Sequence, residues 1–405
     1  MPAVSRAVSR ALALAALALV ACAPTIRTPL KQALPSVTGA TAGTQAPCLG
    51  DPARFDLGGG ASGGALADLD GDGDKDLALA VAGPGGGAAV FFLVEGPGVL
   101  RQSMRVPVPQ TPTAIAAGDF NGDGLDDLAL GASDPPALHV LLGRGRGEFI
   151  AGATELRDAP LALWTADLDN NGAPDLLALD DRGHSVQALL GDGRGEFQLG
   201  PHSHLPTTTT AAGVTLADAD RDGVLDLVAL GDGRKEALLH LVRGDAHGGF
   251  NKEMQRRAIG RGARAVLAAP IGGDGGHDLV ALVDAAGEGG TTPVAAVLIG
   301  AGPLDYTAVG YFAPGPVGDA TLADLDLDGD PDLIASAADG AALHVVPGDG
   351  RAGFGPARTR RSDGLGTSVL ALTADRSPPL VLTFGPASQH LHAFGLARCD
   401  GGKAP

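Results

Sequence analysis

Cysteine and aromatic residues are scarce in this sequence. Three cysteines, one tryptophan and two tyrosines stand among 405 residues, and aromatics make up 3 %. A disulfide-dense scaffold is therefore excluded, and a binding surface built on many aromatic platforms is poorly supplied. Basic charge is in deficit too. Twenty-nine Lys and Arg face 47 Asp and Glu, and the net charge of −18 argues against nucleic acid or an anionic membrane surface as partner. No stretch shows helical periodicity with caps, and apolar runs of four to six residues between turn signals are too short for helices. The glycine-rich turns at Gly143 and Gly191 lack a following Gly-Lys-Ser/Thr, so they read as hairpins and not phosphate loops. No strand-to-helix nucleophile elbow and no Cys/His nucleophile pair is read in the sequence. The sequence thus predicts a protein that is not an enzyme.

Glycine and proline, in contrast, are abundant at 63 and 29 residues, while apolar residues still reach 44 %. That combination predicts many short strands around a real core. Residues 1–21 read as a lipoprotein signal peptide: Arg6 and Arg10 precede an apolar stretch at 11–20 that is too short for a membrane span. It ends at Leu19-Val20-Ala21-Cys22, which resembles the bacterial lipobox and makes Cys22 the lipidated (palmitate-bearing) first residue. Ala23 in the next position, by resemblance to Gram-negative sorting, favours the outer membrane. Residues 22–47 then form a flexible Pro/Thr/Ala/Gly tether. The two remaining cysteines, Cys48 and Cys399, flank the domain at 48–402, and an oxidising compartment predicts a disulfide between them.

Within that domain the dominant feature is self-similarity. The run DLDGDGDKDL beginning at Asp68 recurs from Asp119, Asp167, Asp218 and Asp324, about 50 residues apart with one double interval. An eroded copy at 270–279 fills the gap, and a weaker one lies near 371–384. Each acidic run is preceded and followed by short apolar segments, then by a third segment ending in a glycine-rich turn and a fourth, more polar one. Four antiparallel strands per period predict an all-β, seven-bladed propeller. The last unit supplies three strands, and the segment near 53–57 stands in phase to complete it, closing the ring and leaving no free edge.

The acidic loops have the chemistry of a calcium site, since Ca²⁺ takes six to eight hard oxygens. Side chains at loop positions 1, 3, 5 and 9 and a main-chain carbonyl at position 7 supply them, with glycine at position 6 for the turn. An EF-hand would need Glu at position 12, where Leu79, Leu130, Ala178, Ala229 and Ala335 stand instead. At this period and with these loops, nearly all of residues 50–397 resembles the FG-GAP/VCBS repeats of bacterial secreted proteins and the integrin α-subunit propeller. That resemblance implies about five Ca²⁺ ions. The first is held by Asp68, Asp70, Asp72, Asp76 and the Asp74 carbonyl; the second by Asp119, Asn121, Asp123, Asp127 and Leu125. The third uses Asp167, Asp169, Asn171, Asp175 and Ala173, and the fourth Asp218, Asp220, Asp222, Asp226 and Val224. Asp324, Asp326, Asp328, Asp332 and Asp330 hold the last, and the two eroded units hold none.

His139, His240 and His344 occupy matching places in the third strand of their units and read as an inherited repeat feature rather than a catalytic cluster. Trp164 reads as core. The expected role is a monomeric, lipid-anchored, extracytoplasmic binding, adhesion or scaffold module for an unidentified protein or glycan. A lectin-like propeller is the alternative, and a polysaccharide lyase a more distant one.

Overall fold

The computed structural model describes residues 47–397 apart from short internal segments. The signal and tether, Cys22 and Cys399 lie outside the described residues. The chain is all-β. Two short strands come first, β1 (Cys48–Leu49) and β2 (Ala53–Asp56). The first repeat unit is β3 (Ala61–Ala67), β4 (Asp76–Gly83), β5 (Gly86–Val94) and β6 (Leu100–Val108). The second is β7 (Pro112–Gly118), β8 (Asp127–Ser133), β9 (Pro136–Gly143) and β10 (Phe149–Glu155). The third is β11 (Pro160–Ala166), β12 (Asp175–Asp180), β13 (Ser185–Gly191) and β14 (Phe197–His204). In the fourth, β15 (Thr209–Ala217), β16 (Asp226–Asp232) and β17 (Ala237–Gly244) lead into β18 (Phe250–Ala269). The fifth continues from β18 through β19 (Asp278–Gly287), β20 (Gly290–Gly302) and β21 (Asp305–Phe312). The sixth is β22 (Val317–Ala323), β23 (Asp332–Ala337), β24 (Ala342–Val346) and β25 (Arg358–Arg361). The last is β26 (Ser368–Ala374), β27 (Ser377–Phe384) and β28 (His390–Ala397).

These strands pair antiparallel into the six sheets of a propeller, where the sequence predicts seven separate blades. The difference lies in β18. Its first part pairs with β17, and its second, from Arg261, pairs with β19, so the fourth and fifth units share one seven-stranded sheet. The first three junctions between units are broken by proline, at Pro109 and Pro112, at Pro160 and at Pro206, which cannot donate to a ladder. Residues 250–269 contain none. Gly260 and Gly262, with φ of 151° and 57°, turn the strand without ending it.

Closure follows the predicted phase. β2 and β1 both pair with β28, in register Phe55↔Leu391 and Cys48↔Ala397, so the last sheet is completed by the N-terminal segment. Buried apolar side chains form clusters between successive units. One joins β4 and β5 to β8, another β8 and β9 to β12, and a third joins Leu57, Leu77 and Val90 to Leu380, Leu382 and Leu391 across the closure. At roughly 25 cal/mol per Å² of apolar surface, this inter-unit burial is the main driving force of assembly.

First strands such as β3 and β7 are built largely of small residues but are not the most buried of their units. The structure gives that place to the second: β4, β8, β12 and β23 are buried almost throughout. First strands such as β3 and β11 stay half-buried because they face a central cavity of about 430 Å³, bordered by Gly63, Ala162, Trp164 and Asp319. Trp164 thus lies partly in the core and partly against this cavity. Hydroxyl groups tie neighbouring first strands together: Ser62 Oγ donates to the Pro112 carbonyl (2.7 Å) and Thr113 Oγ1 to that of Pro160 (2.6 Å).

A chain lacking residues up to Asp56 would leave β28 as an unpaired edge. Such a truncation is expected to melt at lower temperature and to self-associate in size-exclusion chromatography; a monomer of unchanged stability would contradict this account of closure.

Candidate metal centres

Each acidic loop joins the first and second strands of its unit, and its backbone is set by two left-handed residues. Glycine at position 6 has φ of 93°, 87°, 88°, 88° and 95° at Gly73, Gly124, Gly172, Gly223 and Gly329. Its amide donates to the first aspartate of the loop in all five, at 2.9–3.1 Å. Position 4 is left-handed as well, which the sequence reading missed. Gly71, Gly122 and Asn170 suit that conformation, but Arg221 (φ 61°) and Leu327 (φ 62°) do not. The position-5 oxygen bends back to the amide of position 7, as Asp72 does to Asp74, Asn171 to Ala173 and Asp222 to Val224. Leu125 and Asp330 are held the same way by Asp123 and Asp328.

The aspartate at position 9 has a second task. Asp76, Asp127, Asp175, Asp226 and Asp332 are each no more than 2 % exposed. One carboxylate oxygen accepts the amide just after the first aspartate, at Leu69, Phe120, Leu168 and Leu325 (2.8–3.0 Å). The other accepts an amide at the end of the third strand, at Val94, Gly143, Gly191, Gly244 and Gly348 (2.7–2.9 Å). Each carboxylate therefore clamps the loop to the far hairpin. The fifth unit, without the metal pattern, keeps the loop side of this arrangement: Asp278 is buried and accepts the Ile271 amide at 2.9 Å. Glycine recurs at the strand end because the carbonyl of loop position 8 fills the space of a side chain. A Cβ would lie 2.6 Å from the Asp126 oxygen at Gly143, 2.3 Å from Pro174 at Gly191 and 2.1 Å from Leu225 at Gly244.

Three carboxylate oxygens converge within 4.8 Å in four loops: Asp68, Asp70 and Asp76; Asp167, Asp169 and Asp175; Asp218, Asp220 and Asp222; Asp324, Asp326 and Asp332. The second loop has the same amide pattern but no such triad, since Asn121 stands where the others have aspartate. It is joined to the first loop instead, through an ion pair of Lys75 with Asp126 and a 2.7 Å bond from the Asp68 amide to the same carboxylate. The donor set is hard oxygen throughout, which fits Ca²⁺. In the fourth loop, Oδ1 of Asp218 and Oδ1 of Asp220 are buried with no hydrogen-bond partner, a costly state that a cation there would relieve. The electrostatics agree. Burial, then the Asp72 carboxylate, raises the pKa of Asp70, and burial with Asp328 does the same to Asp326.

The histidines are not brought together. Each is buried in its own third strand and bonded to a different partner: His139 to Gln110, His240 to Glu253 (2.5 Å), and His344 to Thr359 (3.0 Å).

Two outcomes are expected. Asp278→Asn removes a charge-assisted hydrogen bond where no metal is predicted and should destabilise the protein by about 2 kcal/mol with or without calcium. Asp70→Asn should destabilise only the calcium-loaded form. Urea unfolding in both conditions separates them, and equal calcium dependence would reject the division of roles. The second concerns pH. Burial holds Asp76, Asp127 and Asp332 at about 6, above the usual 3.8. A raised folded-state value makes the associated stability complete below about 3.8 and lost as the pH rises through about 6. Melting of the metal-stripped protein across that range should show this loss, and calcium should abolish it; a flat metal-free profile would refute it.

Residues 68–130, 119–178 and 167–229 match a family model described as an FG-GAP-like repeat. Each span runs from one acidic loop into the second strand of the next unit. No curated protein matches the sequence. A chain of the crystal structure of BBS1N in complex with ARL6DN, soaked with mercury, has a TM-score of 0.56 at 11 % identity, with 88 % of this chain and 99 % of that chain covered. The lead-soaked crystal gives 0.57 at the same identity and coverage. At that identity the likeness concerns the fold alone. Residues 68–229 accordingly carry FG-GAP-like repeats within a β-propeller.

Proposed function

We propose that this chain is a calcium-stabilised propeller of seven repeat units that works as a binding, adhesion or scaffold module outside the cytoplasm. The observation that carries the reading is the convergence of three carboxylates in each of four loops, two of whose buried oxygens have no partner. Calcium there would bind the folded chain alone and so stabilise it. The second loop, with Asn121 in place of a carboxylate at position 3, is the fifth site of the set. Four clamped loops at the ends of packed sheets make a rigid scaffold, and variable loops on such a scaffold commonly carry recognition.

The anchoring half of the proposal rests on Cys22 and the apolar stretch before it, which place the domain on a lipid tether. A Cys48–Cys399 disulfide would lock the closure. Cys48 pairs with Ala397 in the ladder, and Cys399 follows two residues later in the sequence. We assign the domain a protein partner and no catalytic step.

At free calcium a hundredfold above Kd, each occupied loop adds about 2.7 kcal/mol to stability. Chelation should therefore lower Tm by many degrees, and an unchanged Tm would reject the calcium reading. Capture from the native cell surface should yield a protein partner in calcium that is lost on chelation. Binding on a glycan array with no protein captured would favour a lectin instead.

A further inference from the structure

The fourth loop is built differently from the other three that gather carboxylates. In loops one, three and six the third converging group is the buried aspartate at position 9: Asp76, Asp175 or Asp332. In the fourth it is Asp222, and Asp226 is not part of the group. Among the described residues it is also the one loop whose metal-pattern aspartates form ion pairs with a cation. Arg243, near the end of β17, forms an ion pair with Asp220 and lies 2.9 Å from the Asp222 carboxylate. The Asp220 side chain is only 8 % exposed, so the pair is screened from water on one side.

The repeat supplies the control. Arg243 immediately precedes the residue whose amide caps the position-9 aspartate. The residues in that place in the other metal-pattern units are Leu93, Leu142, Leu190 and Pro347. Four apolar side chains leave their loops with backbone amides as the only donors at that point; the fourth loop receives a guanidinium. A single positive charge does not complete the site, however. Oδ1 of Asp218 and Oδ1 of Asp220 remain buried without partners, while Arg243 engages Oδ2 of Asp220 and Asp222.

We propose that Arg243 is the resident counter-cation of the fourth loop, holding its carboxylates together without metal and giving way when a calcium ion enters. This rests on the calcium reading of the loops. The physical basis is competition for the same oxygens. A divalent ion needs six to eight oxygen ligands, and the Arg243 guanidinium covers two of those available until it is displaced. The fourth site is then the weakest of the four triads and fills last. Between the two calcium levels the loop stays folded but metal-free, and on filling it frees a guanidinium at the protein surface.

The test is calorimetric titration of the metal-stripped full chain with calcium chloride. The wild type should show one site roughly tenfold weaker than the others, the size expected when charge-assisted hydrogen bonds must be broken. Arg243→Leu, which installs the residue of the first, second and third loops, should merge that site with the tight class and lower the metal-free Tm. Leu190→Arg should create a new weak site in the third loop. Unchanged isotherms in both variants, with calcium still bound, would overturn the role of Arg243 and leave the calcium reading intact. No binding heat and no calcium-dependent Tm shift in the wild type would overturn both. Should Arg243→Leu fail to fold even in calcium, Leu190→Arg decides alone: a new weak class supports the proposal, and an unchanged isotherm ends it.

Discussion

Apart from the last, whose β27 begins at Ser377, every repeat unit is organised by a carboxylate buried at the start of its second strand. Such a group is expensive to desolvate, and it is tolerated because each oxygen accepts a main-chain amide from a different part of the unit. Asp127 takes its amides from Phe120 and Gly143, and Asp175 takes its own from Leu168 and Gly191. The loop before the strand and the hairpin two strands later are thereby fixed relative to each other. Converging carboxylates, the glycine at the strand end and the tight fit of loop against hairpin all depend on that clamp. A buried aspartate holding the loop amide persists at Asp278, where the metal pattern is lost, so that half of the arrangement belongs to the fold and not only to a metal.

Packing between units supplies the rest. Second strands are the most buried elements, and their Leu and Ala side chains meet those of the next unit on alternate faces. Thus Ala78 and Ala80 pack towards the second unit, while Leu77 and Leu79 pack towards the last. First strands are smaller in side chain and carry the hydroxyl bridges of Ser62 and Thr113, which link neighbours around the cavity. A uniform ring of small residues therefore reflects close approach around an open centre rather than full burial.

Much of this was legible in the sequence. The loop pattern, the order of strands within a unit and the return of residues 53–57 to complete the last sheet follow from period and phase alone. What escaped reading was set by contacts that no local pattern encodes. Leu327 and Arg221 adopt a glycine-like backbone because the surrounding loop imposes it, and nothing in either residue type announces that. The role of position 9 was read as metal ligation only, since the amides it clamps lie up to 18 residues away. Arg243 escaped notice because its meaning lies in contrast with Leu142 and Leu190, and it reaches the loop only once β17 is in place. The fusion of two units through β18 has no mark of its own in the sequence: residues 250–269 lack proline, but so do residues 362–367, where the strands part.

The pairing of β2 with β28 has a kinetic consequence. Arg54 and His390 lie 3.0 Å apart yet are separated by 336 residues of chain. Bringing such distant segments together carries a large loop-closure entropy, and contacts of this separation form slowly. Individual units can assemble from neighbouring strands as the chain emerges, but the last sheet must wait for both ends. Until then the molecule is an open arc with two unsatisfied flanks. The time spent in that state, more than the final stability, sets its exposure to proteases and to its own copies.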